Sequence, residues 1–124
     1  MKHSIKAYCQ GKPHAIEDYQ SDWDATRFFI GGKMFALLGC HKTGEPIITL
    51  KCDPLEAAVL RARYPDIIPG YYMNKTHWNS VYLNGNVPKD EFFRMIDMSY
   101  ALVFQSLPKK EQNRLKQTEA EDCR

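Results

Sequence analysis

The side chains best suited to recognition chemistry lie close together, between residues 69 and 79. This segment reads Pro-Gly-Tyr-Tyr-Met-Asn-Lys-Thr-His-Trp-Asn and so combines aromatic rings, amides, an imidazole and an ammonium group. Stacking rings, amide donors and acceptors, and a cation are the groups that proteins use to contact bases and phosphates. The segment therefore supplies these candidates for DNA contact: Tyr71, Tyr72, Asn74, Lys75, His77 and Trp78.

A structural interpretation of the same segment stands beside the functional one. Trp78 could anchor a core, while Asn74 and His77 could satisfy backbone groups in a tight connection between strands. Lys75 is the hardest of these residues to assign a structural role. It is therefore the strongest candidate for ligand contact.

The charge distribution points to the middle of the chain. The formal net charge is only +2, but residues 27–89 carry eight basic and four acidic side chains. A polyanion would be attracted mainly by this part. Arg27, Lys33 and Lys51 join Lys75 as predicted phosphate contacts, and Lys51 falls on the polar side of a predicted strand. The modest charge predicts weak binding with little sequence preference.

Catalytic and metal-binding patterns are missing from the sequence. It has no Ser-His-Asp order, nucleophile elbow, HExxH, P-loop or GxGxxG motif, so we do not expect an enzyme. The four cysteines include no CxxC pair. Cys40 and Cys52 are interpreted as small residues on neighbouring strands, and a metal site built from them and His77 is the lesser alternative. We expect no metal and no cofactor.

The length of 124 residues suits one domain, which we place at residues 1–118, followed by a disordered tail at 119–124. No apolar run approaches the roughly 20 residues that cross a bilayer. The first twelve residues lack the apolar region of a signal peptide. We therefore expect a soluble cytoplasmic protein without membrane association.

Hydrophobic periodicity and turn residues predict the elements. Asp53 and Pro54 are typical of a helix start, as is Pro88. In the first of these helices Leu55, Ala58, Val59 and Ala62 form an apolar stripe expected to face the core. The predicted order is a helix at 3–10, a loop at 17–24, strands at 26–30, 33–38 and 46–51, a helix from 54, strands at 70–73 and 78–83, and helices from 88 and 108.

This order, α-βββ-α-ββ-α with a small terminal helix, predicts an α+β fold. A three-stranded antiparallel meander would begin the sheet, with Gly31 and Gly32 as the first hairpin turn. The helices would pack on one face of a single antiparallel sheet. The other face would be open to solvent or to a partner.

The run GYYMNKTHWNSVYLNG at residues 70–85 resembles the signature of the MmcQ/YjbR family, whose members carry a similar G-Y-H-[ML]-N-K-x-H-W motif. Tyr72 stands where many members have histidine. The resemblance extends from about residue 3 to 117 and includes Trp23 to Thr26, Ile48 to Tyr64, and Ser99-Tyr100.

The resemblance implies an α+β fold like that of secretion chaperones and a double-wing DNA-binding surface made by the sheet and its loops. Asn74, Lys75, His77 and Trp78 match the family motif and carry over as candidate DNA contacts. The alternative is an adaptor that binds a protein or small ligand on the open sheet face, with no role in nucleic-acid binding. A protein partner or a homodimer also stays open at this stage.

Overall fold

The computed structural model describes residues 2–71 and 73–122, except the side chains of 118–122. Six antiparallel strands form one sheet in the order β1-β2-β3-β4-β6-β5, and four helices accompany it. The α+β prediction is confirmed. The elements are α1 (Lys2–Gln10), β1 (Ile16–Gln20), β2 (Ala25–Ile30), β3 (Lys33–Cys40), β4 (Pro46–Lys51), α2 (Pro54–Arg63), β5 (Ile67–Pro69), β6 (Trp78–Tyr82), α3 (Lys89–Gln105) and α4 (Lys109–Asp122).

The main core lies between the sheet and α3. Strand residues such as Phe28, Ile48 and Val81 meet Phe92 and Ile96 of α3, and all five are fully buried. Because side chains alternate along a strand, the residues between them point to the opposite face of the sheet. The helices therefore cover one face, as predicted, and leave the other face to the groove described below.

Ser99 of α3 fixes the helix onto the sheet. Its hydroxyl donates to the carbonyl of Phe35 at 2.6 Å and accepts from the amide of Lys51 at 2.9 Å. Tyr100 donates its hydroxyl to the carbonyl of Pro13 at 2.6 Å, which ties α3 to the loop after α1. These hydrogen bonds, one buried and two partly buried, give partners to the backbone groups of Phe35, Lys51 and Pro13.

The predicted hairpin and helix start are confirmed. Gly31 and Gly32 turn the chain between β2 and β3 with φ angles of 58° and 81°, which favour glycine. Asp53 caps α2 by accepting the amides of Leu55 and Glu56. The side chain of Glu56 contacts Arg94 of α3 at 3.4 Å.

Three local predictions are wrong. The first half of the acidic segment predicted as a loop forms β1, an edge strand that pairs with β2 and tolerates charge because one edge meets water, whereas residues 21–24 form the turn before β2. The meander therefore has four strands rather than three. The strand predicted at 70–73 lies earlier, at Ile67–Pro69, because the amide of Tyr71 donates to the Ser80 hydroxyl and the chain leaves the sheet.

The predicted apolar stripe of α2 also has the wrong orientation. Leu55 is 81 % exposed and Val59 58 % exposed, whereas Ala57 and Leu60 enter the core. A disordered tail was predicted at residues 119–124. Residues 123–124 and the side chains of 119–122 lie outside the described part of the chain, so the disorder stays a prediction.

No helix in the described ranges has both the length and the apolar character needed to cross a membrane.

Candidate functional site

A groove of about 730 Å³ runs over the sheet face that the helices do not cover. We call it the open-face groove. Its floor follows the strand register, in which Arg27 lies beside Leu37, Leu37 beside Thr49, and Thr49 beside Ser80. Its lining consists of Asp22, Trp23, Ala25, Arg27, Met34, Leu37, Gly39, Cys40, Ile47, Thr49, Tyr71 and Met73.

Small residues deepen the floor at one end. Gly39 lies next to Ile47 in the register, and a Cβ atom at Gly39 would come within 3.3 Å of the Cβ of Ala25. A larger residue at this position would crowd the strand beside it. Thr49 is only 1 % exposed and shares a 2.7 Å hydrogen bond with the Ser80 hydroxyl. The floor is therefore mostly apolar, and its hydroxyl groups bond to each other.

Arg27 is the positively charged residue of the groove floor, and its guanidinium is already paired with the carboxylate of Asp18. Its Nε donates to Asp18 at 3.0 Å, and its Nη2 donates to the same carboxylate oxygen. Hydrogen bonds from Arg27 and Gln20 hold the pKa of Asp18 below its ordinary value. The guanidinium also lies 5.2 Å from the ring centre of Phe29 and 6.0 Å from that of Trp23. Arg27 therefore adds little net positive charge to the groove.

Aromatic rings flank the groove on two sides. Trp23, in the turn between β1 and β2, is 62 % exposed. Tyr71 folds back over the sheet, with its ring centre 4.5 Å from that of His41. The ring of His41 also lies 5.7 Å from that of Tyr82. Large, half-exposed aromatic surfaces of this kind are common at binding sites.

The signature segment is held in place by hydrogen bonds within the fold. Asn74 accepts the amides of Thr76 and His77 through its side-chain oxygen, as in a tight turn. The carbonyl of Lys75 accepts from Arg61 of α2 at 2.6 Å, and the Lys75 ammonium donates to the carbonyl of Gly70. Much of this motif therefore builds the loop.

Asn79 connects the same loop to α2. It is buried, accepts from Nε of Arg61 at 2.7 Å and donates to the carbonyl of Ala57 at 3.5 Å. The amide of Cys52 donates to the carbonyl of His77, which ties the loop to the end of β4. Asn79 was not among the predicted site residues, although it stands directly after the motif.

The structure places the predicted DNA contacts on several surfaces. Asn74, Lys75 and His77 are exposed together on the loop before β6, where Trp78 is half-buried. Tyr71 lines the open-face groove, as does Arg27. Lys51 is half-buried at the end of β4, and Lys33 donates to the carbonyl of Ser106 after α3. Tyr72 lies outside the described residues.

Cys40 and Cys52 do not form a common site. Cys40 is the last residue of β3 and lies opposite Pro46, whereas Cys52 follows the end of β4. These positions are separated by the length of a strand, about 20 Å, so they cannot share one metal ion. Burial raises the pKa of Cys52 to about 11 and that of Cys9 to about 12, which leaves both thiols protonated near neutral pH. Nowhere in the described ranges do three potential ligands cluster.

Sequence and structure comparisons locate this fold among known proteins. The YjbR family model matches residues 10–102. The chain belongs to the YjbR family. The Escherichia coli K12 uncharacterized protein YjbR is 33% identical over 110 residues, which cover 89% of this chain and 92% of that protein. The uncharacterized protein YbdF of E. coli O157:H7 is 40% identical over 89 residues, 72% of each chain.

Solved structures of other proteins share this fold. The crystal structure of Deinococcus radiodurans protein DR2400, which contains domain DUF419, has a TM-score of 0.83 and 31% identity, covering 92% of this chain and 86% of that one. A Pseudomonas syringae protein crystal structure has a TM-score of 0.75 and 28% identity, covering 83% of this chain and 98% of that one. The family predicted from residues 70–85 is thus confirmed, together with its fold.

The sequence predicted an open sheet face but not the groove on it. Its signal is the run Ile47-Ile48-Thr49-Leu50 in β4, in which apolar residues occupy both faces of the strand. A strand that faces plain solvent on one side alternates apolar and polar residues more strictly. Ile47, the additional apolar residue, therefore indicates that the second face of β4 is partly covered.

Proposed function

We propose that this YjbR-family chain is a binding protein, rather than an enzyme, and that the open-face groove receives a small ligand with a planar or elongated apolar body. The observation that carries the proposal is the groove itself, about 730 Å³ with a mainly apolar lining. Ligand pockets in proteins typically measure about 300–1,000 Å³ and are lined mainly by apolar and aromatic groups.

The charges around the groove support a ligand that is neutral where it contacts the sheet. Arg27 is neutralised by Asp18, and Asp22 adds a carboxylate to the lining. A phosphate backbone on this face would meet these carboxylates without a surplus of cations. An apolar ligand would instead cover Leu37 and Ile47 and contact the exposed ring of Trp23.

Nile red, a neutral planar dye, tests the proposal through its fluorescence in apolar surroundings. We expect saturable binding to the folded chain and at least about tenfold weaker binding to Leu37→Glu, about 1.4 kcal/mol, because the new carboxylate lies in the floor. Ile16→Glu is the matched control, since it introduces the same charge at an exposed apolar residue of β1 that does not line the groove.

Near-ultraviolet circular dichroism must show native packing in both variants. Equal binding by Leu37→Glu and the wild type, or no binding by the folded wild type, would contradict the proposal.

DNA binding is a second candidate, and one observation favours it. The loop before β6 exposes Asn74, Lys75 and His77 side by side. These are the polar residues of the family motif, and they provide an ammonium, an amide and an imidazole for a phosphate or a base edge. This surface is distinct from the groove floor, so the two candidates can be tested separately.

Fluorescence anisotropy of labelled duplex DNA across a salt series tests this candidate. If about four phosphates are neutralised, the logarithm of the binding constant should fall with the logarithm of salt at a slope of about −3.6. Lys75→Ala should weaken binding and make the slope about 0.9 shallower. Lys110→Ala, on exposed α4, is the control and should bind like the wild type. Absence of binding at low salt would refute the DNA candidate.

A further inference from the structure

Helix α2 carries an apolar stripe that faces away from its own domain. Leu55 is 81 % exposed and Val59 58 % exposed, and Ala58 and Ala62 beside them are exposed as well. These positions recur at helical spacing, so they form one continuous strip along the helix. Large apolar residues grouped on one exposed face mark interaction surfaces more often than single ones do.

The composition of the stripe suits another helix. Ala58 and Ala62 are small and allow a second helix to approach closely, while Leu55 and Val59 provide the apolar contact. Leu55, Val59 and Ala62 are spaced by four and three residues, which is the spacing of the inner positions of a coiled coil. The stripe is therefore shaped for packing between helices.

Charges beside the stripe identify the partner. Glu56 and Arg63 are seven residues apart, so they lie on the same flank of the helix, one near each end. If a second α2 runs antiparallel across the stripe, its Arg63 lies beside Glu56 and its Glu56 beside Arg63. In a parallel twofold pair this flank of one helix would face the other flank of its partner, so Glu56 and Arg63 would not meet. The flank is therefore complementary to itself only in the antiparallel orientation.

Each of these two charges retains capacity for a partner. Glu56 has one internal ion pair, with Arg94 at 3.4 Å. The guanidinium of Arg63 lies 5.3 Å from the ring centre of Tyr64, and stacking on a ring leaves its N–H edges open to a carboxylate. Arg61, on the other flank, is already turned inward to Asn79 and the carbonyl of Lys75.

We propose that two copies of this chain associate through α2, packed antiparallel about a twofold axis near Val59. The contact is isologous, as in most homodimers, and each ion pair between Glu56 and Arg63 occurs twice. The open-face groove lies on the opposite side of the sheet from the helices and is not used. The inference is therefore independent of the proposed function.

The dimer is weak. Ten residues of α2 span about 15 Å, so the contact falls below the roughly 1,200 Å² of surface that stable complexes bury. We expect a dissociation constant in the micromolar range or weaker, which makes protein concentration the key variable.

Sedimentation velocity over a wide range of protein concentrations measures the association. We expect the wild type to shift from monomer to dimer as concentration rises and Leu55→Glu to stay monomeric. Ile16→Glu is the control, because Ile16 is a comparably exposed apolar residue, 64 % exposed, on the edge strand β1. A monomeric wild type at all concentrations would overturn the proposal, and so would a dimer that Ile16→Glu abolishes and Leu55→Glu preserves.

A charge exchange tests the antiparallel orientation. Arg63→Glu and Glu56→Arg each create two repulsive pairs in a homodimer, so each variant alone should be monomeric. Mixed together they restore both attractive pairs, so the mixture should form a heterodimer. Circular dichroism must show that both variants are folded, because Glu56→Arg also loses the contact with Arg94. Folded variants that fail to associate on mixing would refute the antiparallel arrangement.

Discussion

Replacing Phe35 with alanine is expected to remove about 3–5 kcal/mol from the free energy of unfolding. Phe35 is fully buried where the register between β2 and β3 shifts, and its ring meets that of Tyr100 edge-on at 5.3 Å. The ring of Phe28 lies 6.3 Å away on the neighbouring strand. The loss would combine the transfer of a large ring to water with the cavity left behind between sheet and helix.

Urea denaturation followed by circular dichroism measures this loss. Domains of this size commonly have a free energy of unfolding of about 5–15 kcal/mol, so the variant should unfold at a much lower midpoint concentration of urea. Phe104→Ala is the matched control, because Phe104 is only half-buried beside Tyr100 on α3. We expect it to lose about 1–2 kcal/mol. Equal losses for the two variants would mean that Phe35 does not have the central position assigned to it.

Gly70→Ala should destabilise the protein by about 2–3 kcal/mol and also weaken ligand binding in the groove. A Cβ atom at Gly70 would lie 2.7 Å from the Cβ of Trp78 and 3.0 Å from its carbonyl oxygen. The Gly70 amide also donates to that oxygen at 2.8 Å. Backbone cannot move aside as a flexible side chain can, so relief of the clash must shift the segment that carries Tyr71.

Gly11→Ala is the matched control for this substitution. Its Cβ would meet the carbonyl oxygens of Ala7 and Tyr8 at ordinary contact distances of 3.5 and 3.7 Å. We expect it to be neutral or up to about 1 kcal/mol stabilising, because alanine restricts the unfolded chain. Urea denaturation and Nile red titration of both variants test the pair. Gly70→Ala with native stability would contradict the close approach at Trp78.

Local chemistry was sufficient to predict many elements. Asp53 with Pro54 marked the start of α2, and Pro88 marked that of α3, because capping and proline effects act within one helical turn. Gly31-Gly32 predicted the first hairpin, since few other residues adopt its positive φ angles. These signals depend only on neighbours in the chain.

The wrong predictions concern segments whose conformation is determined by residues far away in the sequence. β1 has few strand-forming residues, yet its pairing with β2 makes it a strand. The segment after Pro69 looked like a strand because of its tyrosines, but the side chain of Ser80 captures the Tyr71 amide. Propensity is weak evidence for short edge strands, because pairing and packing outweigh it.

The sequence by itself determined the family and the α+β class. Only the tertiary structure decided that Arg27 is neutralised by Asp18 across two strands and that Leu55 points to solvent. The physical reason is that α2 has apolar residues on more than one side, so its rotation depends on which side meets the sheet. The strand register likewise brings the groove residues together from separate strands, and no local pattern encodes that meeting.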